Sequence, residues 1–465
     1  MLVIISDLHL NDGSAAPENI SPKAFAIWMQ EILALAVQNQ AKELVFLYLG
    51  DMVDLLRTEY WFYPKPGEAL GERQAECFPL EHRPWGVRDI NQHPEGLGSE
   101  CRARALQILR RTCQEAKRQL AYLRGDAEDI QPALAGLGIP VRRIYVPGNH
   151  DRLFWVDAEL RQELLNAFGA EAAPAPRPFE VWMPEYGLLA RHGHEWDPWN
   201  FEDGDEDGLP AQLDVSRYQM VPIGDPITTE LVARLPFAVA SALPATLEAA
   251  VRDHVYKQLR HVEDVRPLSQ ALRWVLAAPR SLSAGYDKTT QDLIIDAVDR
   301  AAKQIVAEFM RIPFVKAWIV KHDKATRILD EADKLQAIGW VAKRLHIKNV
   351  DRTLKWFEKA GLTKEADEAR AADRELRQDA SARFCVYGHT HNFRHVPLGN
   401  NPQQEDFVYL NSGTWRPRVA QTQDGKSFAS YKEMTYLVFY RADEDLGSRQ
   451  RKGLSYELWN GVMKK

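Results

Sequence analysis

The sequence predicts an α/β fold interrupted by a large, mainly helical insertion. Short apolar runs of strand length recur near residues 2–6, 44–49, 141–146 and 383–387. Uninterrupted runs of this kind suit strands buried on both faces of a parallel sheet. Segments with helical periodicity lie between them, as at 23–39, giving strand, crossover helix, strand. From about 210 to 379 helical patterns follow one another with no strand run of comparable strength. That stretch is too long to be a loop.

Composition sets outer bounds. The chain has 465 residues, 45% apolar and 27% charged, ordinary values for a soluble globular protein. A core of this size needs no disulfides. The formal charge of −6 argues against a generally basic nucleic-acid surface and leaves a local one open. Cys77, Cys101, Cys113 and Cys385 have the spacing of no zinc site, and reduced thiols are expected. The opening MLVIISDLHL has no signal-peptide pattern, and no stretch of 18 apolar residues is free of charge. A cytoplasmic enzyme is the expectation.

Taken in order, the run at 2–6 delivers Asp7 and His9, and the run at 44–49 ends in Gly50-Asp51. Residues 59–93 carry aromatics, prolines and glycines without periodicity and read as an irregular excursion. Helices are expected at 99–123 and 126–137. The strand at 141–146 runs into Pro147-Gly148-Asn149-His150-Asp151. A helix at 153–168, an Ala/Pro-rich loop at 170–178 and a short apolar piece at 187–190 lead to Arg191-His192-Gly193-His194. Residues 204–208 form an acidic, glycine-flanked loop. Helices are expected at 226–243, 247–260, 268–276, 289–311, 315–345 and 350–376. The strand at 383–387 reaches Gly388-His389-Thr390-His391. Closing strands at 407–411, 435–440 and 455–459 suit an antiparallel second sheet or a sheet edge. The catalytic domain is therefore expected to be discontinuous, 1–209 and 380–465 with the excursion at 59–138, around a helical insertion or cap at 210–379.

One event repeats: an apolar strand followed by Asp, Asn or His. Ligands in α/β sheets collect beyond the carboxyl ends of strands. The clusters together supply Asp7, His9, Asp51, Asn149, His192, His389 and His391. Carboxylate, amide oxygen and imidazole form a borderline-hard set that suits two divalent ions, Mn2+ first, with Fe or Zn also compatible and Mg less so. In extended chain, residues two apart point to one side, so Asp7-x-His9 and His389-x-His391 can each aim both side chains into one cleft.

These motifs resemble those of the calcineurin-like metallophosphoesterase family: Asp7-Leu8-His9, Gly50-Asp51-Met52-Val53-Asp54, Gly148-Asn149-His150-Asp151, His192-Gly193 and Gly388-His389-Thr390-His391. The likeness covers roughly 1–60, 140–200 and 380–460, not the insertion. It implies a two-sheet β-sandwich flanked by helices. It further implies one ion held by Asp7, His9, Asp51 and His391, and another by Asp51, Asn149, His192 and His389. Asp51 and a hydroxide would bridge ions roughly 3.5–4 Å apart. The implied activity is hydrolysis of a phosphate mono- or diester, or a pyrophosphate, by that hydroxide.

His150 and Asp151 are the expected catalytic residues beside the metals. In the family the matching histidine faces substrate and stabilises phosphoryl charge or protonates the leaving oxygen. Asp54 and Asp151 match acids that orient His150 or the metal-bound imidazoles. His194 has three readings: a substrate contact, a ligand in place of His192, or a loop histidine bonded to Asp197. Asn11, Arg191 and Arg416 are candidates for gripping substrate, as are Asp12, Asn411 and Arg418; surface or packing roles stand beside this.

The substrate class stays open. Leu55 and Leu56 stand where the protein-phosphatase branch has Arg-Gly, and the Asp-Leu-His-Leu opening looks more like bacterial diesterases and pyrophosphatases. A phosphorylated small molecule or nucleotide-like substrate is expected, a metal-dependent nuclease is the alternative, and a non-catalytic metal-binding scaffold the more distant one. The second half of the insertion is basic: Lys316, Lys321, Lys324, Arg327, Lys334, Lys343, Arg344, Lys348, Arg352 and Lys355. A helical bundle with solvated lysines, a cap over the cleft, and a platform for nucleic acid or a peripheral membrane surface are its three readings.

Overall fold

The structure is a computed structural model that describes residues 1–16, 19–62, 79–85, 98–174, 178–202, 215–265, 274, 285–322, 368–378, 382–400, 405–423, 427–444 and 453–464. Its strands are β1 (Leu2–Ile5), β2 (Leu44–Leu49), β3 (Val141–Val146), β4 (Glu171–Ala172), β5 (Glu180–Met183), β6 (Leu188–Arg191), β7 (Phe384–Tyr387), β8 (Arg394–Asn400), β9 (Asp406–Asn411), β10 (Pro417–Gln421), β11 (Phe428–Tyr440) and β12 (Ser455–Lys464). They form two mixed sheets. The seven-stranded sheet has the order β10-β11-β1-β2-β3-β4, with β12 paired to β11; the five-stranded sheet has the order β5-β6-β7-β9-β8. β1 to β4 are parallel neighbours, and so are β6, β7 and β9.

The uninterrupted apolar runs follow from this layering. On β1 and β2, Leu2, Ile4, Val45, Leu47 and Leu49 face the second sheet, where they meet Leu188, Ala190, Phe384, Val386, Val408 and Leu410. Their alternates Val3, Ile5, Leu44, Phe46 and Tyr48 face the helices. A strand with a core on each side has no polar face to show.

The helix Pro22–Gln38 makes the first crossover. Ser21 caps it, Pro22 occupies its first turn, and Phe25, Trp28, Met29, Ile32, Leu33 and Ala36 line its buried face. The spacing is that of an amphipathic helix. Asp157 breaks the expected helix at 153–168 by accepting from the backbone N–H groups of Glu159 and Leu160, so that a short helix Arg152–Val156 precedes Ala158–Phe168.

Between β6 and β7 lies the helical insertion. Described helices are Arg234–Ala242, Ala249–Leu259, Lys288–Phe309, Pro313–His322 and Glu368–Gln378. Val239, Val255, Leu259, Ile294, Val298 and Ile305 form a core of their own, which reaches the first sheet through Val419 on β10. The expected helix at 226–243 contains a π-helical turn, Ile227–Ala233. Pro236 supplies the reason: it has no N–H and crowds the carbonyl of residue 232. The expected helix at 268–276, apart from residue 274, and most of 315–345 and 350–376 lie outside the described residues. So do the acidic loop at 204–208, most of the excursion at 59–93, Cys77, and all the basic residues from Lys324 to Lys355.

The closing strands differ from expectation. β9 enters the five-stranded sheet between β7 and β8, whereas β11 and β12 pair antiparallel and join the other sheet through β1. They do not make one sheet together. β4, β5, β8 and β10 were not expected. β8 alternates half-buried with exposed residues and contains Pro397, as an edge strand can. Cys101, Cys113 and Cys385 are free. Among the described residues, no helix is long and apolar enough to cross a membrane.

Candidate metal centre

Each cluster sits just past the carboxyl end of a parallel strand. The turns after β1 and β2 are zipped together: Asp7 N–H donates to the Gly50 carbonyl at 3.1 Å, His9 to Asp51 at 2.9 Å and Leu10 to Met52 at 3.0 Å. The turn after β3 joins them where His150 N–H donates to Asp51 Oδ1 at 2.9 Å. The turn after β7 joins through Gly388 N–H to the His192 carbonyl at 2.9 Å and through His389 N–H to Asp7 Oδ2 at 3.0 Å.

The backbone is bent to achieve this. Among the described residues, the non-glycine positions with positive φ are Asp7, His9, Asp51, His389, His391 and Gln40. All but Gln40 are expected ligands. Left-handed backbone is costly for such residues and gathers at functional sites. Glycines supply the remaining room. A Cβ on Gly148 would lie 2.2 Å from Asp51 Oδ1, one on Gly50 2.5 Å from His192 Nδ1, and one on Gly388 2.6 Å from Asp7 Oδ2.

The seven expected ligands converge. Asp7, His9 and His391 form one group with ligand atoms within 4.8 Å of one another, and Asp51, His192 and His389 form a second. Asp51 Oδ2 lies 3.2 Å from His192 Nε2 and 3.8 Å from His9 Nε2, so it stands between the groups. Asp7 Oδ1 is 3.3 Å from His391 Nε2 and 4.0 Å from His192 Nε2. Asn149 Oδ1 faces His389 Nδ1 at 3.0 Å, its amide fixed by a 3.2 Å bond from Nδ2 to Asn200 Oδ1.

The donor set fits divalent cations. Atoms about 2 Å from one ion stand roughly 3–4 Å from each other, the spacing found here. His9 Nδ1 is held by Asp54 Oδ2 at 2.9 Å, and His192 Nδ1 by the Leu49 carbonyl at 2.8 Å. Each ring then turns the lone pair of Nε2 inward. His192 Nε2 and Asp7 Oδ1 are buried without a hydrogen-bond partner, and His9 Nε2 meets His391 Nε2 at 3.0 Å. Carboxylate oxygens and imidazole nitrogens buried against one another in this way need a positive charge to share, from a cation or from protons on the rings.

The field of the site points the same way. Burial opposes charge on Asp7 and Asp51, but the histidines around them, His192 foremost, hold both carboxyls below their usual range. Burial likewise opposes charge on His192, yet Asp51 and Asp7 lift its imidazole to about 10. His9 goes the other way, lowered by burial and by Arg57.

Asp54 is fully buried and holds two imidazoles: His9, and His150 Nδ1 at 3.1 Å from its Oδ1. Burial works against the charged form of His150, and Asp54 and Asp51 outweigh it, so its pKa is raised. Asp151 does not orient an imidazole. Its Oδ2 accepts the N–H groups of Asp51 and Gly148 at 2.7 and 2.9 Å, and its Oδ1 accepts the Tyr145 hydroxyl at 3.0 Å. It clamps two turns together.

The other candidates are spent on the scaffold. Arg416 donates to the His9 carbonyl at 3.1 Å and Arg418 to the His391 carbonyl at 3.1 Å, so both brace the ligand turns from behind. Asn411 Nδ2 does the same at the Gly388 carbonyl, 2.7 Å. Asn11 binds Asn19 and the Gly13 N–H, and Asp12 binds Ser14 and Thr58. Arg191 is buried among Glu180, Glu195 and Glu375. His194 is not bonded to the Asp197 carboxylate; only the backbones meet. Asp197 Oδ2 instead takes His389 Nε2 at 3.0 Å. Sequence reasoning missed that role, although Asp197 lies five residues after His192. Burial lowers His194 to about 4. It lines a small pocket beside Asn149 with Arg217, Phe179, Phe201 and Tyr218.

No protein-family model matches the chain, and no curated protein matches it either. The pair of His/Asp triads nonetheless forms a two-metal-binding arrangement of calcineurin type, on a two-sheet α/β fold consistent with the metallophosphoesterase superfamily.

Proposed function

We propose that this chain is a metal-dependent phosphoesterase, with Asp7, His9 and His391 on one side of Asp51, and Asn149, His192 and His389 on the other, as ligands of two divalent cations. The carrying observation is the pair of buried polar atoms without a hydrogen-bond partner turned inward, Asp7 Oδ1 and His192 Nε2, beside left-handed ligand backbone at three strand ends. Mixed oxygen and imidazole donors favour Mn2+, Fe or Zn. Bound there, such ions would polarise a phosphoryl oxygen and acidify water at neutral pH.

The protein's own groups do the rest. His9, His192 and His389 each have one ring nitrogen fixed by Asp54, the Leu49 carbonyl and Asp197, which sets the direction of the other. Asp54 and Asp51 favour the charged form of His150 against the cost of its burial. A cationic imidazole next to Asn149 would donate a hydrogen bond to a phosphoryl oxygen or a proton to the leaving alkoxide. Asp151, Arg416 and Arg418 keep the turns in place. The guanidinium of Arg217 and the aromatic rings lining the small pocket beside Asn149 have the chemistry that suits a phosphorylated or nucleotide-like substrate.

The test is reconstitution with Mn2+ followed by assay on p-nitrophenyl phosphate and its bis-aryl diester. Two equivalents of metal and turnover of at least one ester are expected. Asp51→Asn should lose at least one equivalent and fall to background. A fully metallated protein inert to both esters and to nucleotides would sink the proposal.

A further inference from the structure

The insertion touches the candidate metal centre at one place of unusual composition. After the helix Ala249–Leu259, the turn Arg260–Asp264 ends in two consecutive acids, Glu263 and Asp264, each 1% exposed. Each meets an arginine, Arg57 or Arg416, that is 4% exposed. Glu263 Oε2 lies 3.2 Å from Arg57 Nε, and the same nitrogen lies 2.9 Å from Asp54 Oδ2, the atom that holds His9 Nδ1. Asp264 Oδ1 accepts from Arg416 at 3.0 Å, and the other nitrogen of that guanidinium donates to the His9 carbonyl at 3.1 Å. The next residue, Val265, forms a β-bridge with Val419 on β10, which anchors the turn.

Two buried ion pairs therefore run from the insertion to the two ends of one residue, the ring and the carbonyl of His9. Asp54 passes the first on to His150 as well. Buried ion pairs are poor sources of stability, because desolvation cancels much of the attraction. They do fix direction. Without Glu263, Arg57 would keep Asp54 as its near partner, with Asp264 and Asp51 acting alongside, and would be drawn onto the carboxylate that His9 and His150 need.

We propose that Glu263 and Asp264 are positioning residues: the insertion sets the orientation of His9, and through Asp54 that of His150, by holding Arg57 and Arg416. The catalytic part of this rests on the phosphoesterase reading; the metal-binding and ring-orientation parts do not.

The experiment compares the full chain with E263Q, D264N and the double variant, all close in shape to the parent. Mn2+ titration is expected to show one of two equivalents bound roughly 10–100-fold more weakly in the double variant, the usual loss for a partner of a ligand, with the other unchanged. kcat on the bis-aryl ester should fall by about the same factor, with KM within about two-fold. Imidazole ¹⁵N resonances of His9 and His150 should shift in the metal-free protein. E263D, which keeps the charge, should recover part of each loss. Should the double variant melt below assay temperature, the single variants carry the test in the cold. Parent-like titration and parent-like His9 resonances in all variants would overturn the proposal. Two bound cations in a parent that hydrolyses nothing would overturn the phosphoesterase reading alone, and the titration would still decide this one.

Discussion

At the strand ends, five expected ligands sit on left-handed backbone and three glycines leave no room for a methyl group. In the insertion, the helix Lys288–Phe309 runs 22 residues from a capping Asp287 and buries Ile294, Ala297, Val298, Ala301, Ile305 and Phe309 along one stripe. The first region spends conformational energy to bring charges together; the second gains it by ordinary apolar burial. Side chains at the strand ends cannot be exchanged without moving the site, whereas most insertion positions answer only to packing. The turn Arg260–Asp264 is where the two regimes meet.

The contrast can be broken or sharpened by substitution. The largest effect in this series is expected from His150→Gln, which removes a proton donor: kcat on the bis-aryl ester should drop by about 10²–10⁴ with metal content intact. An accompanying loss of metal would recast His150 as part of the scaffold. Asp197→Asn should follow, with roughly 10–100-fold lower activity or metal affinity, because His389 loses the carboxylate charge that fixes and polarises its ring. In the insertion, Ile294→Ala should act through stability alone. Ile294 is fully buried, and truncation there costs about 2–5 kcal/mol. Thermal melting would report that loss, while Mn2+ stoichiometry should stay at the parent value.

The smallest effect concerns pH. Burial lifts the Glu368 carboxyl to about 7 against the hydrogen bonds from Tyr409 and Asn411. A carboxyl raised in the folded state binds its proton more tightly there than in the unfolded chain. Its contribution is complete below about 4.5, the ordinary value, and is lost as pH climbs through 7. Glu368→Gln should therefore flatten the fall in melting temperature between pH 5 and pH 8. An unchanged slope would count against the assignment.

How far the sequence was readable follows the same division. The ligand clusters were legible because short apolar strands announce where the chain must turn, and the turns carry rare residue types. Asp54 was legible as a ring-orienting acid, and the helices at 22–38 and 288–309 as amphipathic stripes. Asp197 was not, because nothing local says which of two nearby histidines its carboxylate reaches. Arg416 and Arg418 could be read as phosphate grips or as packing residues, since a guanidinium suits a phosphate oxygen and a carbonyl alike; only the fold shows that they face the backs of the ligand turns. Glu263 and Asp264 gave no signal, since an acidic pair at a helix end is commonplace until two arginines are found opposite. Strands β5, β8 and β10 escaped notice because none is an uninterrupted buried apolar run: β5 alternates half-buried with buried residues, β8 half-buried with exposed ones, and β10 mixes buried with half-buried.

The left-handed turn at Asp51 narrows the choice of an inactive form for capturing a natural substrate. Alanine there would remove the carboxylate and also resist φ near +54°, so a silent mutant would not separate a lost ligand from a distorted strand end. Asparagine tolerates that geometry and keeps the carboxylate's outline. A pull-down from cell extract, using Asn at this position as bait, would keep the backbone of the cleft, while the lost metal equivalent stops the guest from being consumed.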